Sequence, residues 1–362
     1  MKIGIITCHD VYNFGASLQA FALCEFCRIQ KFSAEIINYK PSYLYKLIDL
    51  MEVDSLRWRK NWLFRWIYRI YVLPSKLRWI GKYCKFKSFN KKYLKLSRRK
   101  IKTIEGLKKK MSFDIYICGS DQIWNSSKYL CGQDPAFFLA FTEGKKISYA
   151  ASIGGKEVSK KGAENIKKYL PFFNAVSVRE KSTLDILRKF DIESFNAIDP
   201  VFLIDSSYWE QIAKKIKNIP PKYIFAYGYD NSLEAKEAVE YYRAKMELPV
   251  IDNNSLFFIN AGPLEFISLI KNASIVITSS FHAIAFSIIL QVQFVAVKTE
   301  NEDLFERISN ILEISGLENR EYSELKKVKN WELERVDFSN AEKKIQKHVE
   351  QSKEFLLNAI EE

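Results

Sequence analysis

Residues 272–297 carry no formally charged side chain. A run of that length either spans a membrane or lies inside a globular fold, covered on every side. Its own pattern decides for the interior. Thr278, Ser279, Ser280, His282, Gln291 and Gln293 interrupt it, and the β-branched Ile275-Val276-Ile277 gives way to a helix-like stretch at 283–290 and then to Phe294-Val295-Ala296-Val297. Strand, helix and strand in that order predict a crossover unit of a parallel sheet whose strands are apolar on both faces. The chain is thereby constrained to the α/β class.

The amino terminus repeats the same logic. Lys2-Ile3-Gly4-Ile5-Ile6-Thr7 predicts a buried strand, residues 9–15 a polar turn, about 16–30 an amphipathic helix and Ala34-Glu35-Ile36-Ile37-Asn38-Tyr39 a second strand. This is how a doubly wound domain begins, and such domains bind ligands at the carboxyl ends of their strands, so the turn faces a cleft. Further strands are expected at Phe113-Asp114-Ile115-Tyr116-Ile117-Cys118, at 146–150 and at Ala175-Val176-Ser177-Val178. Past a break near Asp199, a second series follows: helix 207–217, strand 222–228, helix 232–246, strand 248–251, helix 263–272 and the crossover. A length of 362 residues suits two domains. Their expected bounds are 1–205, with a basic, aromatic helical insertion at about 43–110, and 206–338, while a helix at 339–362 packs back on the first domain.

The net charge of +13 has one source. Residues 57–100 hold 16 Lys or Arg and no Asp or Glu, whereas the rest of the chain sets 40 Lys or Arg against all 43 Asp and Glu. On a helix, Trp58, Trp62, Leu63, Trp66, Ile67, Ile70 and Leu73 share one half of the surface and most cations the other, although Arg59 falls among the apolar residues. Such a face suits an anionic membrane surface, or else an insertion whose tryptophans complete the first domain's core. Nucleic acid is the less fitting partner, because no recognition motif accompanies the charge. The six cysteines show no disulfide framework and the start lacks the apolar length of a signal peptide, so a reducing cytoplasm is expected. No metal-ligand spacing is present and no cofactor is expected.

Four places combine chemistry with position. Asn13-Phe14-Gly15-Ala16-Ser17-Leu18-Gln19 joins a strand to a helix, where an anion or a sugar can sit, unless it is a plain turn. Gly119-Ser120-Asp121-Gln122-Ile123-Trp124-Asn125 follows an apolar strand and offers polar groups beside a ring able to stack on a sugar, although Asp121 can equally cap a helix. Arg179, at a strand end, has the donors to hold a carboxylate or phosphate; its neighbour Glu180 can pair with Lys181 or Lys145. Thr278-Ser279-Ser280-Phe281-His282 opens a helix with hydroxyls and then a histidine, a setting for phosphate binding and proton transfer, or for a capping serine and a core histidine.

Together with Ser177-Val178-Arg179-Glu180, Asp199-Pro200-Val201 and Gly262-Pro263 through Phe286-Ser287, these segments resemble the polysaccharide pyruvyl transferase family from Lys2 to about Arg320. The resemblance implies two Rossmann-like domains facing a cleft, as in B-type glycosyltransferases, and transfer of the pyruvyl group of phosphoenolpyruvate to a sugar as a ketal. It implies His282 as the catalytic histidine and Arg179 as the holder of the donor's anionic groups. Ser280 departs from several members, which have arginine there. On this reading Ser279 and Ser280 join the donor site, Asp121 serves as base, and Asn13, Gly15, Gln19, Ser120 and Trp124 meet the acceptor. That acceptor is a sugar of a cell-surface polysaccharide or its lipid-linked precursor, and the protein is expected in the cytoplasm, peripheral on the inner face of the cell membrane. A nucleotide-sugar glycosyltransferase of the same architecture is the alternative enzyme, since such a cleft does not dictate its donor. A basic nucleic-acid-binding protein without catalysis is the second alternative.

Overall fold

The structure, a computed structural model, describes residues 1–45, 66, 71, 77–126, 131–229, 232–299, 302–327 and 335–362. Among these residues two sheets form, and every strand pairing in both is parallel. The first holds β1 (Lys2–Ile6), β2 (Ser33–Ile36), β3 (Ile115–Cys118), β4 (Lys145–Ala151), β5 (Ala175–Val178) and β6 (Phe195–Asn196) in the order β2-β1-β3-β4-β5-β6. The second holds β7 (Ile224–Tyr227), β8 (Val250–Ile251), β9 (Ile275–Thr278) and β10 (Phe294–Ala296) in the order β10-β9-β7-β8. Helix α1 (Phe14–Ile29) follows β1, α2 (Ile80–Lys92) lies in the basic segment, α3 (Pro263–Lys271) and α4 (Phe281–Ile289) flank β9, α5 (Glu302–Ser315) follows β10, and α6 (Phe338–Glu361) is the carboxyl-terminal helix. These are two Rossmann-like α/β units, as the sequence pattern implies.

Parallel pairing forces each connection to cross a sheet face, which covers the central strands on both sides. All four residues of β3 and of β9 are accordingly buried. The uncharged run is the strand, helix and strand of β9, α4 and β10, and among the described residues no helix is long and apolar enough to cross a membrane.

In each sheet the direction of strand addition reverses once. The chain places β2 on one side of β1 and β3 on the other, then β8 on one side of β7 and β9 on the other. A crevice opens at the carboxyl ends of the strands at such a reversal, and ligands of open α/β sheets bind there. The packing of α1 against α3 joins the two units: Phe14 and Phe266 stack with centroids 4.5 Å apart and planes 5° from parallel. One apolar core runs from Ile3, Leu18 and Phe21 through Trp209 to Phe286 and Ile308. Helix α6 crosses back over the first sheet, where Ser352 Oγ accepts from Ile198 N at 3.0 Å and Phe355 stacks on Phe195 at 5.0 Å. The helix expected at 207–217 stops earlier, at Ile212, because Lys214 N donates to Leu264 O at 3.2 Å instead of to its own helix.

Most of the predicted amphipathic face of the basic segment, including Trp58, Trp62, Leu63, Ile67, Ile70 and Leu73, lies outside the described residues. In the described part, α2 buries Phe86 and Phe89 against α1, Lys85 pairs with Glu265 of α3 at 3.1 Å, and Arg78 donates to Asn254 O at 3.2 Å. The Lys82 ammonium sits 4.3 Å from the Phe14 ring centroid and 4.5 Å from that of Phe258. Phenylalanines of α2 fasten this part of the segment to the core, and its lysines bridge to the second unit. Trp66, Tyr71, Leu77 and Ile80 are exposed.

Candidate active site

Helix α4 starts at the carboxyl end of β9 through a hydroxyl-rich turn. Thr278 Oγ1 donates to Tyr227 O at 2.6 Å and accepts from Ser280 N at 3.0 Å, while Ser279 Oγ donates to Gly228 O. Ser280 is the N-cap residue yet makes no side-chain capping bond, so the first-turn amides of α4 have no partner on their own helix. Two residues on, His282 is buried. Gly15, in the first turn of α1, presses against its ring, and a Cβ at Gly15 would collide with His282 Nδ1. His282 Nε2 lies 3.7 Å from Asp199 Oδ2 and has no hydrogen-bond partner among the described residues. Burial pushes the His282 pKa below the ordinary 6.5; Asp199 opposes this, and Arg179 and Arg307 add to it.

Asp199 is the hub beneath the histidine. Its Oδ1 accepts from Val201 N at 3.1 Å, and its Oδ2 accepts from Arg179 Nη1 at 2.7 Å and from Ser120 Oγ at 3.3 Å. Arg179 also donates from Nε to Glu180 Oε1 at 2.9 Å and lies 4.9 Å from the Phe281 ring centroid. Burial works against its charge, but Glu180 and Asp199 outweigh that and hold the guanidinium protonated.

A cavity of about 130 Å³ joins the two crevices. Asn13, Gly15 and Asp121 line it from the first unit, and Tyr227, Ser279, Ser280, His282 and Arg307 from the second. Asp121 has φ +81°, a conformation rare outside glycine, and its Oδ1 accepts from Gln122 N at 2.8 Å. No helix begins there, so it caps none. Strain of this kind concentrates at functional sites. A larger cavity of about 270 Å³ opens between α6 and residues 202–206, but the histidine and the helix amides are not there. Among the described residues, no cluster of His, Cys, Asp and Glu is able to hold a metal ion.

The sequence-predicted residues thus divide. His282, Asp121, Ser279, Ser280, Asn13 and Gly15 share the cavity wall. Three expected acceptor contacts are corrected. Trp124 is fully buried, stacked on Phe138 with Nε1 donating to Phe137 O at 3.1 Å, so its ring has no open face for a sugar. Gln19 is fully buried and its amide donates to Thr7 Oγ1 and Ala16 O, each at 3.0 Å. Ser120 is buried on Asp199. Arg179 does not line the cavity; two of its nitrogens are committed to carboxylates under Phe281. Two residues went unassigned in the sequence. Asp199 stands in the Asp199-Pro200-Val201 signature, which was the available signal. Arg307 sits on α5 in no motif at all.

A family model described as polysaccharide pyruvyl transferase matches residues 13–301. No curated protein matches the chain. Among solved structures, the chain is similar to a UDP-GlcNAc 2-epimerase of Methanocaldococcus jannaschii in complex with UDP-GlcNAc and UDP, at 14% identity over 96% of this chain and 99% of that one, with a TM-score of 0.43. It is also similar to an alpha-glucosyltransferase in complex with UDP and a 13-mer DNA containing an HMU base, at 9% identity over 97% of this chain and 99% of that one, with a TM-score of 0.41.

Because a Cβ at Gly15 would collide with the His282 ring, Gly15→Ala must displace the histidine. We expect cooperative unfolding to persist while turnover drops by about 10²-fold, the scale of an ångström's misplacement at a reacting centre. Undiminished turnover would remove His282 from the chemistry. The pH dependence of stability provides a second check. The native pKa of His282 lies below 6.5, so as pH falls the unfolded chain takes a proton that the native state refuses. The stabilisation is present above the ordinary value and is lost as pH drops towards the native one. Buried His9 and half-buried His348 have pKa values lowered in the same direction. Denaturation at pH values from about 7 to 5 should therefore show falling stability, with a shallower fall in His282→Gln. Equal slopes would contradict a buried neutral imidazole.

Proposed function

The chain belongs to the polysaccharide pyruvyl transferase family, and from that premise we propose that it moves the pyruvyl group of phosphoenolpyruvate onto two hydroxyls of a sugar, forming a ketal and releasing phosphate. The observation that carries this reading is the content of one small cavity: a buried histidine, a carboxylate, two serines, the amino-terminal turn of a helix and a guanidinium. Its volume of about 130 Å³ is below the roughly 300–1,000 Å³ of pockets for drug-sized ligands, which favours a three-carbon phosphoester over a nucleotide sugar as donor.

The chemistry follows from the donor. One sugar oxygen bonds to the carbon that bears the phosphate, and the methylene carbon takes a proton and becomes a methyl group. The bond from the attacked carbon to the phosphate oxygen breaks, and the second hydroxyl bonds to the same carbon to close the ketal. Of the two hydroxyl protons, one ends on the methyl group and the other leaves with phosphate. His282 carries the proton to the methylene carbon and Asp121 accepts one from the attacking hydroxyl. The serines and first-turn amides of α4 receive the donor's anionic oxygens. A bound anion also offsets the neighbouring cations and so favours the protonated imidazole that the step requires.

The acceptor is a sugar of a cell-surface polysaccharide or of its lipid-linked precursor. The basic segment 57–100 brings the protein to an anionic membrane surface on the cytoplasmic side, a reading supported by the exposed Trp66, Tyr71, Leu77 and Ile80 within it.

Incubation with phosphoenolpyruvate and lipid-linked oligosaccharides should release phosphate and add a pyruvate-sized mass to the sugar. His282→Gln should lower the rate by about 10²–10⁴-fold with the fold intact. Release of nucleoside diphosphate from nucleotide sugars, with none of phosphate from phosphoenolpyruvate, would favour the glycosyltransferase instead. Sedimentation with vesicles tests the membrane reading: salt-sensitive binding to anionic vesicles and none to neutral ones is expected, and failure to bind either at low salt would defeat it.

A further inference from the structure

We propose that Arg307, and not Arg179, holds the anionic end of the donor, with Arg179 acting as a positioning residue that fixes Asp199 beneath His282. This rests on the reaction proposed above and assigns its cation. Arg179 lies close enough to depress the proton affinity of Arg307, but the two guanidiniums are differently employed. Arg179 is paired through Nε and Nη1 with two carboxylates and does not line the cavity, although its Nη2 has no partner among the described residues. Arg307 reaches the cavity from α5, and no carboxylate among the described residues pairs with it. The neutral Gln122 side-chain amide stands against it, and with the amide rotated so that its oxygen faces Arg307, that oxygen accepts from Nη1 and Nη2 at 3.2 Å each. Its Nε is buried without a partner among the described residues.

A buried guanidinium without a counter-charge is costly, and an entering anion relieves that cost. Burial pulls the Arg307 pKa below its ordinary value and Arg179 pulls the same way, while Glu180, Asp121 and Asp199 oppose them. The cavity walls divide the work. Ser279, Ser280, the α4 amides and Arg307 make the second unit's wall a receptor for phosphate or carboxylate oxygens. Asn13 and Asp121 leave the first unit's wall to hydroxyls. Arg307 supplies a cation to the cavity that Ser279 and Ser280 line from the start of α4.

The test compares wild type, Arg307→Gln and Arg307→Lys, each first checked for cooperative unfolding. Arg307→Gln should raise the KM for phosphoenolpyruvate by roughly 10–100-fold, the worth of hydrogen bonds to a charged group, while the KM for the sugar stays constant. Arg307→Lys should recover part of the loss. In parallel, histidine-labelled protein is titrated by NMR with inorganic phosphate and with pyruvate, the His282 signal being identified by its absence from His282→Gln. Phosphate should raise the His282 midpoint in wild type and not in Arg307→Gln; a response to pyruvate alone would place the donor's carboxylate, rather than its phosphate, on Arg307. An unchanged donor KM in a folded Arg307→Gln protein, a donor KM that responds to Arg179→Gln alone, or a wild-type His282 deaf to both anions would each overturn the proposal. Should wild type release no phosphate from phosphoenolpyruvate, the proposed reaction fails, and the anion titrations still decide the role of Arg307.

Discussion

The buried Arg179–Asp199 ion pair is the fixed point of the molecule. Asp199 Oδ2 receives Arg179 at 2.7 Å and Ser120 at 3.3 Å and stands 3.7 Å from His282, so one carboxylate oxygen links the ends of β3 and β5 to the start of α4. Two charges can be kept out of water only where geometry and further hydrogen bonds compensate their desolvation. Glu180, Val201 N and the Phe281 ring supply that compensation. Removing one partner of such a pair costs about 3–5 kcal/mol, because the other charge is left stranded. The histidine's setting is therefore as rigid as the core around it.

That rigidity has a consequence for the imidazole. A histidine in a dry pocket loses proton affinity through desolvation, and two nearby guanidiniums lower it further. Asp199 restores part of it without a direct hydrogen bond, and the balance leaves the proton affinity of the ring below its ordinary value.

Helix α1 is one of the elements that unite the two α/β units. Its first turn supplies Gly15 to the histidine and Phe14 to the stack with Phe266, and its N-cap, Asn13, accepts from Ala16 N at 3.1 Å while lining the cavity. The described part of the basic segment reinforces the same seam, because Lys82 and Lys85 of α2 reach Phe14, Phe258 and Glu265. An insertion that reads in sequence as a surface appendage is, at its carboxyl-terminal end, part of what holds the cleft together.

The α/β class, the crossover unit at 272–297 and the placing of His282, Ser279, Ser280, Gly15, Asn13 and Asp121 at strand ends were all legible in the sequence. Each follows from local rules: alternation of apolar runs with turns, and the requirement that polar residues after a buried strand emerge at the sheet's carboxyl edge. What local rules cannot state is which way a polar side chain turns once two units close on each other. Trp124, Gln19 and Ser120 stand near true cavity residues in sequence, yet they point into the packing, where the backbone carbonyl, hydroxyl and carboxylate to which they donate come from other segments of the chain. Arg179 is claimed by an aspartate 20 positions away, and Arg307 enters the cavity from a helix of the second unit, 25 positions after His282. Sequence spacing fixes the face of an element, whereas charge pairing and burial are properties of distance in space, and only the closed tertiary structure sets those distances.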